Sequence, residues 1–388
     1  MPLLTRVRTR NYRSLADVTV DVGSVTVLFG HNGSGKSTFL DTLWFVRDCS
    51  INGVDVASER RSHGIGLLWD GADEREPLAI TLDVAGAEYE LRCGFNSGRI
   101  EPYAGEILRL SKDGSVLIER LPGSDRARFV GGDGVSTVHV LREPSKLALE
   151  RYLYDTTDHT EIRALEAVLR ATRWHHSRSF RWWQLKARGS EIGASVVLAE
   201  DGRNLWSVLR NLHDRRSIDG RYDTILEYMR EAFPGFKDLV FEATGPASVY
   251  CSMVDARRKA PVAASGMSDG HLQMLLLLTA LFAEAPRESL LLLDEPEVSL
   301  HPWPIAVFAR AVYRACKERS CQVMIATHSP VLLSQFAVGE ILTAALVDGQ
   351  TQLRRVSEMT EIADLLEQYA VGSLYMAEAI APQSKPEG

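Results

Sequence analysis

The segment Gly30-His31-Asn32-Gly33-Ser34-Gly35-Lys36-Ser37-Thr38 constrains the fold more than any other stretch of the chain. It fits the phosphate-loop pattern G-x-x-x-x-G-K-[ST], with an apolar strand before it (residues 25–29) and a helix after it (36 to about 48). Glycines let the backbone curl until its N–H groups face phosphate oxygens, and the positive end of the following helix adds to that attraction. On this reading Gly30, Asn32, Gly33, Ser34, Gly35 and Thr38 form the cradle for ATP. Lys36 reaches the β- and γ-phosphates, and Ser37 ligates Mg2+.

Three further motifs lie near the other end of the chain. Four leucines, Leu290 to Leu293, make a buried strand that carries Asp294 and Glu295 to its carboxyl end, where ligands sit in open α/β sheets. Asp294 suits a Walker B role, holding Mg2+ directly or through water, and Glu295 is placed to polarise an attacking water. Two carboxylates at a buried strand end are costly without a cation. Thr327-His328-Ser329-Pro330 ends another apolar strand. A histidine there is more often structural, but after a phosphate loop and a Walker B strand His328 reads as a switch that senses the γ-phosphate. Ser265-Gly266-Met267-Ser268-Asp269-Gly270 opens the long helix before the Walker B strand. A Ser-Asp-Gly segment is an ordinary helix cap, and a capped helix start with a glycine is also a good anion site.

Together these motifs resemble the ATPase heads of the ABC superfamily, in the branch of RecF-like, SMC-like and OLD-family proteins. Within it they resemble the bacterial AAA-type ATPases that stand beside effector genes. Arg10-Asn11-Tyr12-Arg13-Ser14-Leu15 resembles the N-x-R-S-L opening of that group. Met267-Ser268-Asp269-Gly270 resembles its L-S-D-G signature, Ser299-Leu300-His301-Pro302 its D-loop, and residues 201–205 match more loosely. The resemblance implies an ABC-type P-loop head, with ATP and Mg2+ as ligands and Arg13 at the nucleotide. It also implies a homodimer with shared ATP sites. In that dimer Ser268 and Gly270 of one copy meet the γ-phosphate held by the other, and Glu295 and His328 are catalytic. The sequence departs from the pattern in one respect. Gln184 is the only glutamine between the phosphate loop and the signature, and its surroundings are unlike a Q-loop.

The expected fold class is α/β, a mixed sheet plus a parallel core, with an inserted β-meander and helical lobe. Residues 1–50 and 240–388 form a discontinuous ATPase core, 51–143 a β-rich part of the head, and 144–239 a helical insert. Helices are expected over 147–154, 161–170, 204–213, 222–233, 269–284 and 302–317 from apolar spacing. The insert lacks the heptads of a long coiled coil and any C-x-x-C hook. About 60 residues follow His328, too few for the Toprim nuclease domain of OLD proteins, so no nuclease is expected within the chain. No apolar run approaches bilayer length, the start lacks a secretory layout, and five scattered cysteines fit a reduced cytoplasmic protein without a zinc site.

A net charge of −7 argues against a surface that coats nucleic acid as a whole, though it leaves room for a local groove. The main candidate is the segment 170–188, to which the smaller clusters Arg215-Arg216 and Arg257-Arg258-Lys259 add little. It holds Arg170, Arg173, Arg178, Arg181, Lys186 and Arg188 without an acid, interleaved with Trp174, Phe180, Trp182 and Trp183. Three readings stay open for it: nucleic-acid contact through backbone charge and base stacking, a protein hot spot, or core aromatics beside a solvated basic face. Three roles compete for the whole chain. One is a sensor ATPase that controls a separate effector, such as a nuclease, in anti-phage defence. Another is a RecF-like DNA-repair ATPase. The third is a transporter subunit, against which the signature, the insert and the N-x-R-S opening all argue.

Overall fold

The computed structural model describes residues 4–73, 75–143, 145–155, 160–283, 289–360, 365 and 370–376. Its centre is a six-stranded sheet in the order Arg173–His176, Leu290–Asp294, Gln322–Thr327, Val25–Phe29, Ile341–Val347, Gln350–Arg355. The first five strands run parallel, and the last closes an antiparallel hairpin. Val25–Phe29, Leu290–Asp294 and Gln322–Thr327 are buried at every position, as expected of parallel strands covered on both faces.

Alternation along these strands feeds two apolar cores. Leu291, Leu293, Val323 and Ile325 point into one, with helices Asp269–Phe282, Pro302–Arg319, Leu205–Asp214 and Arg221–Ala232. Leu290, Leu292, Met324 and Ala326 point into the other, with the phosphate-loop helix Lys36–Asn52, helix Thr160–Ala171 and a second sheet. That second sheet is an eight-stranded antiparallel array from Ser136–Val140 at one edge to Leu15–Asp21 at the other. Leu4–Tyr12 lies inside it, between Leu15–Asp21 and Leu78–Val84. The two sheets are stitched by the buried amide of Gln322. It accepts the Leu4 N–H at 2.9 Å and donates to the carbonyls of Leu4 and Gly23 at 2.8 and 3.1 Å.

Two expectations need revision. The first two strands of residues 1–50 belong to the antiparallel sheet, and only Val25–Phe29 enters the parallel one. The span 144–239 is not a separate helical lobe. Arg173–His176 is an edge strand of the central sheet, and Leu205–Asp214 and Arg221–Ala232 share a core with the signature helix. Aromatic and basic residues hid that strand, because its half-buried edge position gives no apolar run. The other expected helices appear at Ala148–Asp155, Thr160–Ala171, Asp269–Phe282 and Pro302–Arg319. Glu284, the expected end of the signature helix, and residues 377–388 lie outside the described residues. No helix is long and apolar enough to cross a membrane among the described residues.

Trp206, fully buried, shows how closely the insert is bound into the head: its indole N–H donates to the Leu185 carbonyl at 3.1 Å. Trp206→Ala should therefore lower the unfolding free energy by about 3–5 kcal/mol, read as a lower urea midpoint.

Candidate active site

The phosphate loop leaves Phe29 and turns through Gly33 and Gly35, whose φ values of 79° and 94° favour glycine. A side chain at Gly35 would also run into Thr351 of the closing hairpin, whose hydroxyl is 2.8 Å from that of Ser14. Lys36 Nζ donates to the carbonyls of Gly30 and His31, both at 2.7 Å, so the ammonium is folded back over its own loop. Burial pulls its pKa below the ordinary lysine value, while Asp294, Glu295 and Glu297 push the other way. The Ser34 hydroxyl is buried without a hydrogen-bond partner. Tyr375 packs edge-on against Phe29 at 5.1 Å.

Sheet register brings His176, Asp294 and Ala326 side by side at the carboxyl edge. Asp294 is 1% exposed and hydrogen-bonds Ser37, yet its Oδ2 has no hydrogen-bond partner and lies 3.8 Å from His176 Nε2. Burial raises its pKa, and Ser37 and His176 counter that shift. The next residue, Glu295, sits at φ 53° in the left-handed region, and its N–H donates to the Ala326 carbonyl at 2.8 Å. Its carboxylate faces His328 Nδ1 at 3.5 Å and the guanidinium of Arg178, Nε at 3.1 Å and Nη2 at 3.4 Å. Glu297 accepts the Thr327 hydroxyl at 2.6 Å, while its other oxygen is buried and unpaired.

This donor set fits Mg2+. The Ser37 hydroxyl and an orphaned carboxylate oxygen of Asp294 are hard oxygen ligands, and a cation would offset the desolvation of that oxygen. Among the described residues no group of three or more histidine, cysteine or acidic side chains could hold a metal unaided. Nucleotide phosphate would complete the ligands of such an ion, as is common for Mg2+.

The signature helix Asp269–Phe282 starts at Ser268, whose Oγ accepts the His271 N–H at 3.3 Å. Ser268 and Asp269 are exposed, and Asp269 pairs with Lys186 at 2.6 Å. Gly270 lies so close to the Ser299 carbonyl that a Cβ there would collide with it, which holds the D-loop segment on the helix start. One turn on, the buried Gln273 donates to the Ser177 hydroxyl and to the Pro296 carbonyl, each at 2.9 Å. Ser177 in turn donates to the Glu295 carbonyl at 2.6 Å.

The structure therefore gathers Lys36, Ser37, Asp294, Glu295 and His328, and places Ser268 and Gly270 at the exposed helix start. Arg13 lines a cavity of about 790 Å³ with Ser14, Arg60 and Trp69, and its guanidinium pairs with Asp41 at 3.3 Å. His176, Ser177, Arg178 and Gln273 were not singled out for the site by the sequence reading, although three of them fall in the basic segment. That segment is spent largely on the head itself. Arg170, Arg178, Arg181 and Lys186 pair with Glu166, Glu295, Asp201 and Asp269. Phe180 is buried and Trp174 packs on Trp44, whereas Trp183 is 59% exposed under Arg188. Structural use thus accounts for most of it.

Both ends of the chain match models of ATPase families. Residues 252–334 match "AAA domain, putative AbiEii toxin, Type IV TA system", and residues 3–63 match "AAA ATPase domain". Over these two segments the chain is similar to AAA-type ATPase domains. The OLD nuclease of Thermus scotoductus is 23% identical over 349 residues, 85% of this chain and 59% of that protein. Protein ea59 of Escherichia phage lambda is 42% identical over 69 residues, 18% of this chain and 13% of ea59. The chain thus spans little more than half the length of the longer-matching relative. A solved SMC head domain from Thermotoga maritima is 15% identical at a TM-score of 0.43, covering 92% of this chain and 99% of that one.

The buried, partly unpaired Asp294 yields a prediction. A carboxyl whose folded pKa is raised is most stabilising to the fold when protonated, so its contribution is lost as pH rises from the unfolded carboxyl range through the folded value. Asp294→Asn, a permanent mimic of the neutral form, should stabilise the nucleotide-free protein at pH 7 by about 1–3 kcal/mol. It should also abolish the further rise in melting temperature given by Mg2+ with ATP. Both are read in thermal melts.

Proposed function

We propose that the chain binds ATP with Mg2+, hydrolyses it to ADP and phosphate in a site completed by a second copy, and uses the cycle as a switch on a separate effector in bacterial anti-phage defence. The observation that carries the hydrolytic reading is the unpaired Asp294 oxygen beside Ser37, with Glu295 next in the chain and Lys36 within its electrostatic reach. Ser37 and Asp294 would hold Mg2+, which when bound would supply positive charge at the phosphates. Lys36 exchanges its two carbonyl partners for those phosphates, and Glu295 accepts the proton of the attacking water. His328, beside Glu295, senses whether the γ-phosphate is present.

Dimerisation is supported by the signature helix. Its capped start is a ready anion site, and Ser268 and Asp269 are exposed rather than turned to the loop of their own subunit. A second copy presenting Ser268 and Gly270 would complete the γ-phosphate shell. The defence role is supported by the names attached to the similar proteins: a type IV toxin–antitoxin AAA domain, an OLD nuclease and a phage protein. All five cysteines are free thiols, which fits the reducing cytoplasm. The effector, such as a nuclease, is expected to be a neighbouring gene product that co-purifies in a nucleotide-dependent manner.

Two variants test the reading. Lys36→Ala should lose ATP binding. Glu295→Gln should bind ATP normally, release phosphate on the order of 100-fold more slowly and accumulate as a dimer by light scattering. Full turnover by Glu295→Gln would remove that residue as the base, and a wild-type protein that binds no ATP would end the proposal.

A further inference from the structure

The contact between Arg178 and Glu295 has no place in the scheme above, and as it stands it weakens Glu295 as a base. Glu295 is the candidate base, yet both of its oxygens are engaged by one guanidinium, Nε to Oε2 at 3.1 Å and Nη2 to Oε1 at 3.4 Å. A forked arginine takes one acceptor site on each oxygen and stabilises the anion, which weakens the carboxylate as a base for water. Glu295 becomes a stronger base once Arg178 leaves it.

The local structure makes that departure easy. Arg178 sits in a single 3-10 turn, Ser177–Ser179, directly after the edge strand of the central sheet. The backbone of this turn is anchored on three sides. Ser177 donates to the Glu295 carbonyl, the Arg178 N–H donates to His176 Nδ1 at 3.0 Å, and the Ser179 hydroxyl donates to the His176 carbonyl at 2.7 Å. The Arg178 side chain, by contrast, is 70% exposed on a flexible stem. A fixed root with a mobile cation is the arrangement needed to serve two anions in turn. Exposed ion pairs of this kind are weak, whereas a terminal phosphate offers more charge and matches the guanidinium fork.

We propose that Arg178 is a further catalytic residue, which masks Glu295 in the nucleotide-free site and moves to the γ-phosphate of ATP when the site is loaded. The inference rests on the hydrolytic reading above. Lys36, the phosphate-binding lysine of that reading, feels the charge of Glu295, so the terminal phosphate would lie in the same neighbourhood as the carboxylate that Arg178 leaves. In the reaction the water oxygen bonds to the γ-phosphorus. The bond to the β–γ bridging oxygen breaks with its electron pair staying on ADP, and the water proton passes to Glu295. Arg178 neither gives nor takes a proton; it neutralises charge that builds on the equatorial oxygens, as arginines acting in cis or trans do elsewhere.

The test compares wild type, Lys36→Ala, Arg178→Ala and Arg178→Lys by phosphate release, binding of a fluorescent ATP analogue, trapping of ADP with aluminium fluoride, and thermal melting. Arg178→Ala should lose on the order of 1,000-fold in kcat while analogue affinity changes by no more than about threefold, and it should fail to trap ADP–aluminium fluoride. Arg178→Lys, which keeps the charge without the fork, should recover part of the rate. Arg178→Ala turning over and trapping at or above the wild-type level would overturn the proposal and leave Arg178 as a mask alone. Loss of analogue binding or of thermal stability in both arginine variants would also overturn it, by marking a structural residue. Wild-type protein that releases no more phosphate than Lys36→Ala would remove the hydrolytic reading itself.

Discussion

Everything at the site depends on the register of four parallel strands. His176 stands beside Asp294, Asp294 beside Ala326, and Thr327 beside Phe29, so the residues that follow each strand emerge along one edge. A run of four leucines does not by itself choose that register, because a slip of one residue leaves a leucine on each face. The polar ends choose it. Gln322 at the amino edge is committed to the backbone of Leu4 and Gly23, and the N–H of Gln322 donates to the Ser289 carbonyl at 2.8 Å. At the carboxyl edge the Glu295 N–H donates to the Ala326 carbonyl. The strand is thus pinned at both ends by groups that cannot shift without losing buried hydrogen bonds.

A second constraint follows from the first. The signature helix is joined to the turn after Asp294 partly through the hydroxyl of Ser177, which accepts from Gln273 and donates to the Glu295 carbonyl. Gln273 also holds the Pro296 carbonyl, so a rotation of the helix would disturb the turn that carries Glu295. The middle of the chain is therefore part of the frame around this edge of the sheet. Its edge strand supplies Ser177, and its helices lie beneath the signature helix.

The sequence made one half of this legible. The phosphate loop, the four leucines before Asp294, and the strand ahead of His328 each announce themselves through apolar runs followed by residues of fixed chemistry. Leu290–Asp294 and Val25–Phe29 were read nearly to the residue for that reason. The edge strand Arg173–His176 was not, because it carries two histidines and an arginine and is only partly buried. Its neighbours looked like a basic, aromatic surface. Charge composition alone cannot tell a cation that awaits phosphate from one already paired within the fold. Arg181 with Asp201 and Lys186 with Asp269 are cases of the second kind. Gln273 was hidden differently, as one of a few polar residues in a mostly apolar helix, with a partner 96 positions away.

The unpaired oxygens point the same way as the motifs. Ser34, Asp294 and Glu297 each bury a side-chain oxygen that makes no hydrogen bond, and all three border the phosphate loop or the Walker B turn. Stability alone would favour replacing or pairing such atoms, since each carries a desolvation cost without return. Three in one place are better understood as a surface prepared for ligands that bring their own charge. Thr9, Arg47 and Trp174 each bury one unpaired atom elsewhere, but only beside the phosphate loop and Asp294 do three such oxygens gather. The fold thus supplies rigidity through its leucines and leaves a group of hydroxyl and carboxylate oxygens unpaired at the carboxyl edge of its central sheet.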